Sequence, residues 1–322
     1  MKTVVRAEGA LLDRVLATRA LHDKAGLSPH AYGRCHAALM KTAWGRAHQR
    51  RFALVDGADL LAGATQYLVP GVLDERPVRI CAIGEVFRDP AHAGGDQAPA
   101  LIEGLLERAA QEGADLALIF SDMDPAWRDR HRVERIPVTE IELGVAQSPN
   151  HGAPMTLVRG GEDRDLPAIV AMGQVRAAPF RFHLDRDADF VQYAMTRKRL
   201  AAGLGPPGAQ QLQFFIAEEG VTAAAYVVIS VVGDAWTIEE CGDRDPSGAR
   251  VGALLQALIA REPIERRPSI RGWLPPGFEP PQVTILSAAP SSEVVMVRFF
   301  ESTRGGPPLS GGDVLYWQSD FF

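Results

Sequence analysis

The sequence has few cysteines and no long apolar run. Its three cysteines, Cys35, Cys81 and Cys241, are widely separated and form no Cys-x-x-Cys pair. This spacing argues against a disulfide framework and against a zinc cluster. Cys81 and Cys241 lie in strand-like runs, so we predict that both are buried thiols. We find no signal peptide and no apolar run of transmembrane length, and we therefore expect a cytoplasmic protein without membrane contact.

The sequence also lacks an excess of basic residues. It has 34 Lys and Arg against 40 Asp and Glu, which gives a net charge of −6 over 322 residues. This balance argues against nucleic acid as the main partner, although it leaves a local basic patch open. No Ser/His/Asp order and no metal triad stands at motif spacing. The length allows two domains of common size, and the oligomeric state is not determined.

One stretch, residues 79–120, combines a strand, a glycine-bearing loop, a helix and a second strand. Residues 79–87 are rich in β-branched and aromatic side chains and contain no proline, which is typical of a strand. After the loop 91–97, apolar residues follow at helical spacing: Leu101, Ile102, Leu105, Leu106 and Ala109. Gly113 ends this helix, and residues 114–120 form a strand of the buried type. A glycine loop before a helix N-terminus presents free N–H groups that suit a pyrophosphate.

This segment resembles the acetyl-CoA motif of the GNAT acetyltransferases, in which a strand ending Val-x-Val-x-Pro precedes Arg/Gln-x-x-Gly-x-Gly/Ala and a helix. Val86 and Pro90 match the pattern, whereas Ala93 replaces the family's Arg and Asp96 its first Gly. The resemblance implies an acetyl-CoA site, and it places the following residues there: Val86, Phe87, Arg88, Gly94, Gly95, Asp96, Gln97 and Ala98. Asp96 is unfavourable beside phosphate, so it either turns outward or the cofactor has been lost. An ordinary βαβ unit without ligand is the alternative.

The predicted element order of the first half, β-α-α-β-β-β-α-β, is that of the GNAT fold. After a linker at 145–155 the same order recurs with one further strand. We therefore predict an α+β protein of two tandem GNAT domains, each a mixed, mostly antiparallel twisted sheet flanked by helices. The predicted ranges are 1–148, 155–304 and a tail at 305–322. Strand 136–143 is assigned to the first domain, and strand 294–299 closes the second.

The arrangement resembles the tandem-GNAT acetyltransferases related to the enhanced-intracellular-survival proteins, although the chain is too short for their sterol-carrier-like third domain. That resemblance implies that the first copy is catalytic and that the terminal carboxylate enters its site. Either the aromatic end of the chain plugs a hydrophobic groove, or Asp320 or the Phe322 carboxylate acts as a base. The loop of the second copy, residues 242–248, carries two acids and is predicted not to hold CoA.

The reaction would need a proton acceptor for the substrate amine and a donor for the developing oxyanion. Glu85 is the nearest strand carboxylate, although a solvated or ion-paired strand residue is the simpler interpretation. Glu239 and Glu240 are its counterparts in the second copy. The N–H groups near Phe87 and Arg88 would face the oxyanion. The position of the family's Tyr acid falls on Arg128, so the usual acid is absent, and His131 is a possible substitute.

Three hypotheses follow from the sequence. The first, which we favour, is an acetyl-CoA-dependent N-acetyltransferase that acts on a small-molecule or peptide amine through its N-terminal domain. The second is a degenerate GNAT pair that binds a ligand or partner without catalysis. The third is a CoA-independent tandem transferase that uses aminoacyl-tRNA, which would require a basic groove.

Overall fold

The computed structural model describes residues 1–22, 26–92, 95–146, 157–303 and 307–320. Within these residues, two mixed sheets carry helices on their faces, and each sheet has its own hydrophobic clusters. None of the described helices combines the length and the apolarity that a bilayer span requires.

The elements of the first half follow the predicted order, with one short helix added. They are β1 Lys2–Arg6, α1 Gly9–Ala20, α2 Pro29–Leu39, α3 Ala43–His48, β2 Gln49–Asp56, β3 Asp59–Leu73, β4 Arg76–Arg88, α4 Gln97–Gln111, β5 Leu116–Ile119, α5 Pro125–His131, β6 Glu134–Ile136 and β7 Thr139–Val145. Local sequence explains the helix starts. The Ser28 hydroxyl accepts the N–H of Ala31 at 3.2 Å, and the Asp124 carboxylate accepts that of Ala126 at 2.9 Å.

The second half repeats this order, with additional short strands. Its elements are β8 Leu157–Gly160, α6 Leu166–Ala177, β9 Phe182–Leu184, α7 Ala188–Leu204, β10 Gln211–Glu219, β11 Thr222–Val232, β12 Ala235–Asp243, α8 Ala249–Ile259, β13 Ser269–Gly272, β14 Val283–Pro290, β15 Val295–Phe299 and β16 Val314–Leu315. The sequence did not reveal β9, β13 or β16, because strands of two to four residues are too short for an alternating pattern.

The two sheets have the same architecture. The first has the order β1-β2-β3-β4-β5-β15-β6, and the second has β8-β10-β11-β12-β13-β7-β14. Along these seven strands, each sheet contains one parallel pair at the same place, β4 with β5 and β12 with β13, beside antiparallel neighbours. The first sheet also carries β9, which pairs with β3 in antiparallel and with β16 in parallel orientation. The predicted fold class, α+β with mostly antiparallel sheets in two copies, is confirmed.

The sheets exchange one strand, which corrects two strand assignments. β7 lies in the range 1–148 but pairs with β13 and β14 of the second sheet. β15 lies in the range 155–304 but pairs with β5 and β6 of the first. Pro137 explains the first error, because it ends β6 and divides the predicted strand 136–143. The predicted ranges therefore do not separate the two sheets.

Pro70 lies inside a long strand, β3, rather than at its end. β3 and β4 continue beyond it as a hairpin that turns at Asp74 and Glu75, with φ of +47° and +62°. The pairing of β2 with β3 ends at Tyr67, and that of β9 begins at Gly71. The missing N–H of Pro70 therefore leaves no ladder hydrogen bond unmade.

Helix α7 joins the two halves. Its Phe190 and Tyr193 pack on Trp44 of α3, with ring centroids 5.0 and 4.4 Å apart. The Tyr193 hydroxyl donates to Gln49 Oε1 at 2.9 Å. Each such aromatic pair contributes about 1 kcal/mol beyond area burial, so the second half stabilises one wall of the first.

The cysteines are buried free thiols, as predicted for Cys81 and Cys241. Burial raises the pKa of Cys81 to about 12, and it also raises the pKa of Cys241. These thiols are therefore protonated core side chains at neutral pH.

The strand exchange predicts that neither half folds alone. Fragment 1–150 lacks β15, whose Met296 and Val297 are buried in the first sheet. Because β5 and β6 then lose their common partner, we expect no cooperative thermal transition by circular dichroism.

Coexpression of 1–150 with 151–322 supplies both exchanged strands, so the fragments should co-elute on gel filtration and melt cooperatively. A cooperative melt of 1–150 alone, or fragments that separate when coexpressed, would contradict the exchange.

Candidate functional site

Strand β4 continues to Arg88, beyond the end of its pairing with β5 at Ile83. We call the space beside this unpaired stretch of β4, on the β5 side, the wedge. The strands pair from Ile80 to Ile83 only, and the last contact is Phe120 N–H to Ile83 O at 2.9 Å. Beyond it, β4 continues to Arg88 with β3 as its described partner strand. Because Asp89 N–H donates to Leu61 O of β3 at 2.9 Å, alternation along the ladder directs Phe87 N–H toward β3 and Arg88 N–H toward the wedge. Of the two amides predicted to face an oxyanion, only that of Arg88 points away from β3.

The N-terminus of α4 lies beside this wedge and has no side-chain cap. Asp96 is exposed and its carboxylate caps none of the helix amides. The first turn of α4 contains no acid. Gly95 has φ of +86°, a conformation that favours glycine. Gln97 is buried, and its Nε2 donates to His92 O at 3.3 Å. Ala93 and Gly94 lie outside the described residues.

The corresponding helix of the second copy, α8, is capped by a buried carboxylate. Asp243 accepts the N–H groups of Arg250 at 2.8 Å and Val251 at 3.2 Å. By register, Asp243 stands five residues beyond Ile238, the last residue of β12 that pairs with the parallel strand. Arg88 stands five residues beyond Ile83 in the first copy. The two copies thus carry opposite charges at the same position.

Glu85 lies at a bulge of β4 and is held by a polar cluster. Its φ of +51° is rare for a residue other than glycine, and the β3–β4 register shifts beside it. The hydroxyls of Tyr32 and Thr65 each donate to its carboxylate at 2.7 Å. Arg51 Nη1 lies 2.9 Å from Oε2, and Arg19 Nη2 lies 4.0 Å from Oε1.

These partners set the charge of Glu85. Burial alone would raise its pKa, but Arg51, Arg19 and the two hydroxyls lower it to about 2. Arg197 of α7 also acts on this carboxylate, so three guanidinium groups surround one negative charge. Burial and Arg51 lower the pKa of the adjacent His36 to about 4, which leaves its imidazole neutral. Glu85 is therefore a weak proton acceptor in a region of excess positive charge.

The C-terminal segment packs between the halves. Tyr316 stacks on Trp273 at 4.3 Å, and Trp317 is buried. Asp320 accepts Trp317 N–H at 2.9 Å and lies 3.1 Å from Arg186, which also pairs with Glu240. Burial raises the pKa of Asp320 to about 6. Asp320 is thus held by Arg186, which it shares with Glu240, rather than at Glu85.

The remaining sequence candidates occupy other places, and Phe322 lies outside the described residues. His131 packs against Trp127 with ring centroids 4.4 Å apart, and its Nε2 lies 3.7 Å from Glu103 Oε1 of α4. Its use as a substitute for the missing acid stays a prediction. Glu239 and Glu240 are buried, and Glu239 pairs with Lys198 at 2.9 Å.

The sequence analysis missed the residues that surround Glu85. Arg19, Tyr32, Arg51 and Thr65 come from four different elements, so no spacing connects them. One signal was present: Arg51 is a charged residue at the start of an apolar strand, and such a residue requires a buried partner.

The ionised Glu85 predicts a pH-dependent stability. Its folded pKa of about 2 lies below the ordinary value of 4.5. The ion pair therefore stabilises the fold above pH 4.5, by about 3 kcal/mol, and this contribution is lost as the pH falls toward 2. We expect Glu85→Gln to be less stable than the wild type in urea at pH 7, with the difference shrinking between pH 5 and pH 3.

Glu107→Gln, at an exposed position of α4, serves as the control and should follow the wild type throughout. A difference for Glu85→Gln that stays constant with pH would contradict the assigned charge state.

No protein-family model and no curated protein matches this chain.

Three solved structures match most of its length. A GCN5-related N-acetyltransferase from Kribbella flavida is 16% identical and has a TM-score of 0.66, with 93% of this chain and 71% of that chain covered. One from Anabaena variabilis is 11% identical, with a TM-score of 0.66 and coverages of 93% and 73%. Eis1 from Mycobacterium abscessus is 13% identical, with a TM-score of 0.53 and coverages of 93% and 74%. Similarity at these identities shows the fold, and the chain therefore has the GNAT fold of these proteins, present in two copies that exchange a strand.

Proposed function

We propose that this protein is an acetyl-CoA-dependent N-acetyltransferase whose cofactor site lies in the first copy. The observation that carries the proposal is the contrast between the two helix N-termini. In α4 the Asp96 side chain leaves the helix amides uncapped, and β4 extends beyond the end of its pairing with β5. In α8 the Asp243 carboxylate already takes the helix amides, and its negative charge opposes a phosphate. The second copy is accordingly proposed to be degenerate.

The first copy fits the proposed cofactor. The first helix bond of α4 runs from Ala100 N–H to Asp96 O, and Pro99 has no N–H, so the amides of Gln97 and Ala98 remain for a diphosphate. Gly95 allows the chain to approach it closely. Acetyl-CoA would supply an activated acetyl thioester. Arg88 N–H, which faces the wedge, is placed to stabilise a developing oxyanion.

The polar cluster around Glu85 favours the neutral form of the substrate amine. Excess positive charge from Arg19, Arg51 and Arg197 lowers the pKa of a nearby ammonium group and so favours its neutral, nucleophilic form. The low pKa of Glu85 makes it an orienting group rather than the base. We keep the terminal carboxylate of Phe322 as the candidate base, following the family resemblance.

The second candidate function is that of a degenerate GNAT pair, which binds a ligand or partner without catalysis. Arg128, instead of a Tyr acid, lies on α5, and its Nε has no hydrogen-bond partner among the described residues. The absence of a tyrosine acid at this position favours ligand binding without turnover. The two candidates share acetyl-CoA binding and differ in whether free thiol is released in the presence of amines.

Calorimetry with acetyl-CoA tests the site directly. We expect one cofactor per chain and a loss of affinity of at least about tenfold in Gly95→Val, because a β-branched residue cannot adopt φ of +86° without strain. Gly233→Val is the matched control, since Gly233 has φ of +60° in a turn of the second half.

Two cofactors per chain, or equal affinity of both variants, would contradict the assignment to the first copy. Absence of binding at millimolar acetyl-CoA would favour the CoA-independent hypothesis.

Removal of Phe321 and Phe322 tests the candidate base. This truncation keeps the buried Trp317 and Asp320, so the melting temperature should stay near that of the full chain. Thiol release with a panel of amines should fall by about 10²-fold, the size of a lost general base. Unchanged turnover in the folded truncation would exclude a catalytic role for the terminal carboxylate.

A further inference from the structure

A large cavity lies at the opposite end of the first sheet from the proposed acetyl-CoA site. Its volume is about 730 Å³, and it is formed by the lower ends of β1 to β4, by α3 and by the C-terminal end of α4. The length of α4, 15 residues or about 22 Å, separates this cavity from the uncapped helix N-terminus. The proposed acyl transfer uses none of its residues.

The floor of the cavity is apolar. Leu68, Val69 and Pro70 of β3 contribute to it, together with Ile80 of β4 and Ala109 of α4. An apolar floor of this kind stabilises a bound hydrocarbon or aromatic group by about 25 cal/mol for each Å² removed from water. These apolar side chains provide no charged or hydrogen-bonding group for a sugar-phosphate backbone.

The rim of the cavity is basic. Four arginines, Arg6, Arg50, Arg79 and Arg108, line it, and Glu112 is the acid among the lining residues. The positive charges therefore outnumber the negative one locally, although the whole chain carries −6. A local reversal of charge of this kind attracts anions.

The guanidinium groups of Arg50 and Arg79 are available to a ligand, whereas Arg6 lies 3.1 Å from Glu8 in an exposed pair. Within the described part of the chain, the Arg50 guanidinium has no ion-pair or hydrogen-bond partner. Arg79 donates to Gly113 O and pairs with no carboxylate there. Arg108 meets Glu112 at 2.8 Å in an exposed pair, which is weak because solvent screens it.

We propose that this cavity binds an amphipathic organic anion, with its apolar body on the floor and its anionic group on Arg50 and Arg108. Guanidinium groups recognise carboxylate, sulfonate and phosphate oxygens through charge-assisted hydrogen bonds. The combination of an apolar floor and a basic rim selects against neutral hydrocarbons and against small inorganic anions. The occupant is thus a monocarboxylate, sulfonate or phosphate monoester with an aromatic or alkyl body.

Fluorescence titration of the full chain with 8-anilinonaphthalene-1-sulfonate tests the proposal. We expect saturable binding that weakens at least about tenfold in Arg50→Ala and in the Arg50→Ala/Arg108→Ala pair. Arg50→Lys should retain most of the affinity. Ala47→Trp, at an exposed position lining the cavity, should reduce binding by filling it without a change of charge.

Three controls separate this site from others. Arg34→Ala, on the exposed face of α2, should bind the probe like the wild type. Saturating acetyl-CoA and the Gly95→Val substitution should leave binding unchanged, which makes the outcome independent of the proposed acetyltransferase. The neutral probe N-phenyl-1-naphthylamine should bind weakly and without dependence on Arg50.

Equal probe affinity of the wild type, Arg50→Ala and Ala47→Trp, in variants with native melting temperatures, would overturn the proposal. Displacement of the probe by acetyl-CoA would also overturn it, because the probe would then occupy the cofactor site. Binding of a single-stranded oligonucleotide that depends on Arg50, without probe binding, would assign the basic rim to nucleic acid instead.

Discussion

The exchange of one strand between the two sheets is the constraint on which the rest of the structure depends. A strand in the sixth position of each sheet has two neighbours, and its backbone N–H and C=O groups are satisfied only when both are present. Because β7 and β15 come from the opposite halves, each sheet is completed by the other part of the chain. This cross-pairing ties the two halves together through backbone hydrogen bonds. It also brings α7 against both sheets.

Helix α7 contacts buried charged groups of both halves. Arg197 hydrogen-bonds to Tyr67 and acts on Glu85 in the first half. The next residue, Lys198, pairs with Glu239 in the second half at 2.9 Å. Consecutive residues of a helix differ by about 100° in direction, so adjacent side chains can serve facing surfaces. The charge of the Glu85 cluster is therefore partly set by the second half of the chain.

The two copies share the same strand positions at this place and differ in the charge of the side chains that occupy them. Glu85 and Glu240 both lie two residues beyond the last parallel pair of their sheets, and each is bound by an arginine and a tyrosine. Three residues later the copies diverge, with Arg88 in one and Asp243 in the other. A carboxylate at that position caps the following helix and occupies its positive end, whereas an arginine leaves the amides open. A single change of charge thus accompanies the difference between an uncapped helix and a capped one.

Strong local patterns made part of this structure predictable. The strand 79–87 and the helix after residue 97 were found because strand composition and helical spacing act over a few residues. β13 was missed, because Ser-Ile-Arg-Gly is too short to show a period. The partners of Glu85 were missed, because Arg19, Tyr32 and Thr65 meet only through folding.

By itself, the sequence determined the order of the elements, their repetition and the glycine loop before α4, since these depend on neighbours along the chain. Only the tertiary structure decided which sheet receives β7 and β15, because strand pairing is a contact between distant segments. It also decided the ionisation of Glu85 and the position of Asp320, since a pKa depends on burial and on charges that the fold brings near.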